Sequence, residues 1–212
     1  VEKGAELIIN ISASPYIRGK RQAKMGMLSA LAREINIPVV YVNQAGANDS
    51  LIFDGNSMFI NAEGNICGHA KGFCEDLLII ETDAPARSEV KISDIEDIRR
   101  ALVLGIGDYM AKSGFTKTVL GLSGGIDSAL VAALACQAIG PENVTGITMP
   151  SEYSSKGSVD DSYDLARNLG MRIETIAIKG LFDRFRDDLS GVFRGLKEDV
   201  TEENIQARIR GT

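Results

Sequence analysis

Residues 118–129 read TVLGLSGGIDSA, and the fold turns on how this stretch is read. An apolar, β-branched run ends in a glycine pair set between serines. An aspartate follows two places on, and DSALVAALACQAIG then reads as an Ala- and Leu-rich helix. The pattern is strand, tight turn, helix. In open α/β sheets ligands bind at the carboxyl ends of such strands. Gly124 and Gly125 permit positive φ and close backbone approach. A helix beginning near Asp127 adds N–H groups and a positive dipole end, which suit an anion. Ser123 and Ser128 add hydroxyl donors, and Asp127 is placed to hold Mg²⁺ bridging phosphate oxygens. No G-K-[ST] follows, so this is not a Walker A loop, and the glycine spacing is not the G-x-G-x-x-G of dinucleotide folds. The chemistry indicated is phosphate binding.

Further along the chain, NVTGITM reads as a second strand, VDDSYDLARNLG as a helix and MRIETIAI as a third strand. The β–α–β–α–β order predicts a doubly wound parallel sheet covered on both faces. Upstream, SDIEDIRRALVLGIGDYMAKSG (93–114) predicts an amphipathic helix. Ser93 would be its N-cap, with Glu96 three residues on in a capping-box pattern, and Gly114 would close its C-terminus.

The first part of the chain has its own organisation. ELIINIS (6–12) predicts a buried strand. KRQAKMGMLSALAREI predicts a helix with Met27, Leu28, Leu31 and Ile35 on its apolar face, ending before Pro38. PVVYVN predicts a second strand, parallel to the first through a right-handed crossover. NQAGANDSLIFDGNS (43–57) reads as loop-rich. SMFINAEGNICGHA predicts a hairpin turning at Glu63-Gly64-Asn65, and FCEDLLIIETD a further short strand. The expected division is one α/β unit over 1–83, a linker over 84–92 and a second α/β unit over 93–212.

Composition bounds the function. The 212 residues are 44% hydrophobic and 25% charged, the balance of a globular protein. The net charge of −6 has the wrong sign for gripping nucleic-acid backbone. No apolar run reaches the roughly 20 residues of a membrane helix. Three cysteines without metal-ligand spacing point to a reducing cytosol rather than a disulfide framework. Neither nucleic acid nor membrane is expected as a partner. The start VEKGAELIIN, without Met, and the final GT read as the cut ends of a longer chain.

SGGIDS resembles the motif of the ATP-pyrophosphatase, or PP-loop, superfamily, with its adenine-nucleotide α-hydrolase-like fold. Its members bind the β,γ-phosphates of ATP here and release pyrophosphate while adenylating an acceptor. Two more strings, MPSEYSSKGSVDDS (149–162) and TEENIQARIRG (201–211), resemble the NAD synthetase branch, in which the acceptor is the nicotinate carboxylate of deamido-NAD⁺. That resemblance implies ATP binding by Gly121, Leu122, Ser123, Gly124, Gly125, Ile126, Asp127 and Ser128, with Mg²⁺ on Asp127. Thr148 and Met149 would border adenine and ribose. Asn204, Arg208 and Arg210 would face deamido-NAD⁺, the lesser alternative being that both arginines are solvated helix residues.

NISASPYIRGK and QAGANDSLIFDGNS resemble the carboxyl-terminal part of the nitrilase-like amidohydrolase domain that precedes the synthetase domain in glutamine-dependent NAD synthetases. By that resemblance Ser14 and Lys20 contribute to a glutamine pocket. Lys20 stands where some relatives carry arginine, whose bidentate fork an ammonium does not reproduce. Phe53-Asp54-Gly55 reads as a packing and turn element. The family's glutaminase uses a Glu–Lys–Cys triad. Cys74-Glu75-Asp76 resembles the nucleophile string but follows NISASPY instead of preceding it, so Cys74 reads as an ordinary strand residue. His69 reads as a surface residue and Cys136 as core. No catalytic residue is therefore assigned in the chain; the triad is expected upstream of Val1, and a helix, a strand and an acidic metal ligand beyond the QARIRG helix.

The resemblance implies a carbon–nitrogen ligase that makes NAD⁺, AMP and pyrophosphate, with glutamine-derived ammonia as amide donor and a homo-oligomer as the full-length enzyme. The chain alone is expected to bind ATP weakly, to lack glutaminase activity and to have little synthetase activity. Rival readings are another PP-loop amidotransferase such as GMP synthetase, a non-catalytic assembly or regulatory module keeping the fold, and a plain nitrilase hydrolase, which leaves the second unit unexplained.

Overall fold

The strand Ile8–Ser12 (β1) lies parallel to Val39–Asn43 (β2), joined through the helix Lys20–Ile35 (α1), the crossover expected from the sequence. The computed structural model describes residues 4–87, 93–151, 155–197 and 199–211. Two compact units divide at Phe115/Thr116.

In the first unit a four-stranded sheet has the order β1-β2-β5-β6, where β5 is Met58–Ile60 and β6 Ile66–His69. β5 and β6 form the expected hairpin through residues 61–65. Met25, Leu28 and Ala32 of α1 pack on Val39, Tyr41, Met58 and Ile60. Large apolar side chains buried in this way contribute roughly 1.5–3 kcal/mol each. The buried stripe of α1 differs from the expected one. Met27 is 64% and Leu31 38% exposed, because the helix turns Met25, Leu28 and Ala32 onto the sheet instead.

Residues 43–57, expected as loop-rich, contain a second hairpin of Ala45–Asn48 (β3) and Leu51–Asp54 (β4). Its two-residue turn puts Asp49 at φ 51°, a left-handed conformation that aspartate tolerates. The strand expected over FCEDLLIIETD is not formed. Leu78 and Ile80 lean over Gly68, where their methyl carbons come within 3.1 Å of where a Cβ would stand. Leu77 and Ile79 point outward, each 84% exposed. The alternation is that of a strand, but the segment pairs with no ladder among the described residues.

The helix Asp94–Lys112 (α2) starts as expected, with Ser93 Oγ accepting the Glu96 N–H at 3.2 Å. It was expected to open the second unit, yet it packs within the first. Asp108 Oδ2 accepts the Ala47 N–H at 2.6 Å, and the Lys112 ammonium donates to the Ala47 carbonyl. Asp97 pairs with Arg21 at 3.6 Å, both side chains largely buried, and Asp94 with Arg18 at 3.0 Å. Of the expected linker 84–92, residues 88–92 lie outside the described residues.

The second unit is a parallel sheet in the order β7-β8-β9, formed by Thr118–Leu122, Val144–Thr148 and Arg172–Thr175. The helices Ile126–Ile139 (α3) and Lys156–Leu169 (α4) make the crossovers. Leu120 and Leu122 face the core that these helices cover, with Ala132, Ala135, Val144 and Ala166. The strands advance in one direction, one half of a doubly wound sheet. Coverage of both faces was expected, but Val119 is 66% exposed on the side away from that core. Two helices, Lys179–Leu189 (α5) and Val200–Arg210 (α6), close the chain; α6 begins with an Asp199/Glu202 capping box. No helix among the described residues is long and apolar enough to cross a membrane.

Candidate functional site

The turn between β7 and α3 is held by its own serines. The Ser123 N–H donates to Ser128 Oγ at 3.3 Å, the Gly125 N–H to Ser123 Oγ at 3.2 Å, and the Ser128 hydroxyl to the Gly125 carbonyl at 3.0 Å. Gly125 is the extended N-cap of α3, and the first helical bond runs from the Ala129 N–H to the Gly125 carbonyl. The N–H groups of Ile126, Asp127 and Ser128 therefore precede any intrahelical acceptor, which leaves them for a ligand. Gly124 has φ 76° and lies against the backbone of Ser158 in the first turn of α4. Two helix N-termini thus meet at one glycine.

Beside this turn is an open cavity of about 510 Å³. Gly121, Leu122, Ser123, Thr148 and Met149 line it together with Arg210, so six of the residues singled out from sequence converge there. Gly124, Gly125, Ile126, Asp127 and Ser128 form the adjoining turn rather than the cavity wall. Ser155 and Ser158 also line the cavity and were not singled out. Ser155 Oγ caps α4 by accepting the Ser158 N–H at 3.1 Å. The S-x-x-S pattern at a helix start could have revealed them. The Glu152–Ser154 part of the quoted 149–162 string lies outside the described residues.

Arg210 reaches from α6 to the Met149 carbonyl at 3.4 Å and to Ser151 Oγ at 3.3 Å. Asn204 and Arg208 are exposed one turn apart on α6, away from the cavity lining, while Gln206 is buried. The exposed Asp127 is the carboxylate at the turn, and no group of three metal-ligating side chains occurs among the described residues. One carboxylate together with phosphate oxygens is a donor set that suits Mg²⁺ and would not hold a metal without the phosphates.

In the first unit Ser14 and Lys20 line one cavity of about 310 Å³. Asn43 fixes the Ser14 backbone at both ends. Its Oδ1 accepts the Ser14 N–H at 2.9 Å and its Nδ2 donates to the Ser14 carbonyl at 3.3 Å. The same Nδ2 donates to Asp54 Oδ1 at 3.0 Å, and Asn56 donates to Asp54 Oδ2 at 2.8 Å. Asp54 is 3% exposed and so serves as a buried hub, in keeping with the packing role expected of Phe53-Asp54-Gly55. Lys20 Nζ donates to the Pro15 carbonyl at 3.2 Å.

Cys136 is buried as expected, and burial raises its thiol pKa. His69 is exposed at the end of β6. Cys74 is exposed too, but in an irregular segment, because the expected strand around it is not formed.

A parallel sheet whose first strand ends in SGG and feeds a helix N-terminus, with a cavity at the strand ends, defines an α/β protein of the PP-loop class. The family model of NAD synthase matches residues 98–212, and that of carbon-nitrogen hydrolase matches 1–91. The chain belongs to the NAD synthase family. The first of these models begins inside α2, the helix that packs with the other unit.

The glutamine-dependent NAD(+) synthetase of Synechocystis sp. is 45% identical, aligned over 100% of this chain and 39% of that protein. That of Thermotoga maritima is 38% identical over 99% of this chain and 43% of the other. The solved glutamine-dependent NAD+ synthetase of Acinetobacter baumannii, in complex with ADP, superposes with a TM-score of 0.92 at 39% identity, covering 99% of this chain and 41% of that one. The chain thus spans about two fifths of the length of these relatives.

Proposed function

We propose that this chain carries the ATP-handling turn and part of the amide-donor unit of a glutamine-dependent NAD⁺ synthetase. The carboxylate of deamido-NAD⁺ attacks the α-phosphorus of ATP and pyrophosphate leaves. Ammonia released from glutamine then attacks the adenylated carboxyl carbon and AMP leaves, giving NAD⁺. The observation that carries this reading is the convergence of Gly121, Leu122 and Ser123 with Thr148 and Met149 on one cavity beside the SGG turn, at the carboxyl ends of β7 and β8.

The free N–H groups at the start of α3 hold the β,γ-phosphates where negative charge accumulates as pyrophosphate departs. Ser123 and Ser128 keep those amides aimed by bonding to the turn itself. Asp127 with phosphate oxygens would hold Mg²⁺, which neutralises phosphate charge. Thr148 and Met149 border adenine and ribose. Asn204 and Arg208 present an amide and a guanidinium to the anionic dinucleotide. Arg210 engages the Met149–Ser151 lip and orients that wall of the cavity. In the other unit Ser14 and Lys20 bind glutamine.

A reducing cytosol suits the three free thiols, and the full-length enzyme is read as a homo-oligomer. Isothermal titration with ATP–Mg²⁺ and with deamido-NAD⁺ separates this reading from its rivals. Binding of both supports it. Binding of ATP without deamido-NAD⁺ favours another PP-loop amidotransferase, and binding of neither favours a non-catalytic module.

A further inference from the structure

The helix α6 has two faces of different use. Asn204 and Arg208 lie one turn apart and exposed on one of them. Two residues on from each, and so about 200° round the helix, Gln206 and Arg210 lie on the opposite face. Gln206 is buried there, and Arg210 lines the cavity beside the SGG turn.

The Arg210 guanidinium joins that face to the cavity wall. Its Nη2 donates to Gln206 Oε1 at 3.4 Å within the helix. Its Nε reaches the Met149 carbonyl at 3.4 Å and its Nη2 reaches Ser151 Oγ at 3.3 Å, 61 and 59 residues away in sequence. All three acceptors are neutral, and all three bonds are longer than the roughly 2.7–3.2 Å of a strong N–H···O bond. A carboxylate partner would lock the arginine in place. Neutral acceptors at this length hold it weakly enough for a ligand to decide whether the link is made.

We propose that Arg210 is a positioning residue that couples the two substrates, so that ATP in the cavity and deamido-NAD⁺ on the outer face of α6 tighten each other's binding. The link to Met149 and Ser151 has two states, made and broken. Nucleotide held against Met149 fixes the lip, favours the made state and so steadies α6. Deamido-NAD⁺ on Asn204 and Arg208 steadies α6, favours the same state and so fixes the lip. Linkage makes the effect equal in both directions. The inference rests on the ATP and deamido-NAD⁺ readings above and gives Arg210 the joint between them.

The test is calorimetric titration of the whole chain with Mg²⁺ and α,β-methylene-ATP, in which carbon replaces the oxygen of the scissile bond. It is run alone and with saturating deamido-NAD⁺, and then with the two ligands exchanged. Each should tighten the other about five-fold, by the same factor in both directions. In Arg210→Gln the factor should fall to one. Arg210→Lys, without the planar fork, should keep only part of it. Ser151→Ala removes one acceptor and should lower the factor without abolishing it; this variant decides the matter if Arg210→Gln does not fold.

A factor of one in the parent chain would overturn the coupling and leave the functional reading standing, since each ligand still binds alone. A five-fold factor kept in both Arg210→Gln and Ser151→Ala would do the same, even if the separate affinities change. Absence of binding by either ligand overturns both the coupling and the reading beneath it.

Discussion

Gly124 and Ser158 meet backbone to backbone: a Cβ on Gly124 would stand 2.6 Å from the Cα of Ser158. At φ 76° the residue is also in a conformation that side chains disfavour. The turn after β7 and the first turn of α4 can therefore approach only through a glycine.

Gly124→Ala should destabilise the second unit by about 1–3 kcal/mol and abolish nucleotide binding. Gly125 gives the control. Its φ is −92°, and an added Cβ would meet only Ser123 Oγ at 3.3 Å. Thermal melts of the two variants should differ, with Gly124→Ala clearly lower; equal melting temperatures would remove the role assigned to the contact.

Asn43→Asp tests the hub under the Ser14 turn. The variant keeps an acceptor for the Ser14 N–H but loses the donor to Asp54 and sets two carboxylates face to face. The cost should be at least about 2 kcal/mol at neutral pH. It should shrink as pH falls and one carboxyl of the pair takes up a proton, whereas Asn43→Ala should show no such recovery. Melting curves between pH 7 and 4 distinguish the two.

Glu96 should leave its mark on acid stability. Hydrogen bonds from Arg99 and then Arg100 hold its carboxyl down at about 2, against 4.5 unperturbed. A depressed carboxyl stabilises the fold fully above its unfolded pKa, and that contribution is lost as pH falls from 4.5 toward 2. Glu96→Gln should therefore flatten this limb of the melting-temperature profile and lower the plateau slightly. An unchanged slope below pH 4.5 would contradict the assignment.

The parallel units were legible because VVYV, VLGL and VTGIT are β-branched runs alternating with helical patterns. The phosphate turn was legible because all its parts lie within eight residues. What escaped depends on contacts distant in sequence. The Ser93 cap announces where α2 begins, but not that Asp97, Ala101, Gly105 and Asp108 form a stripe that faces the first unit. The Asp49-Ser50 turn lacks the glycine that flags a hairpin, and Leu77–Ile80 has the alternation of a strand without a neighbour. Asn43 carries no local mark of the groups that it holds, Ser14 and Asp54.

A crystal structure of this chain with ADP and Mg²⁺ tests the central claim most directly. The account predicts the diphosphate within hydrogen-bond distance of the Ile126–Ser128 amides, the metal on Asp127 and the adenine against Thr148 and Met149. Nucleotide bound elsewhere, or no nucleotide at saturating concentration, would contradict it.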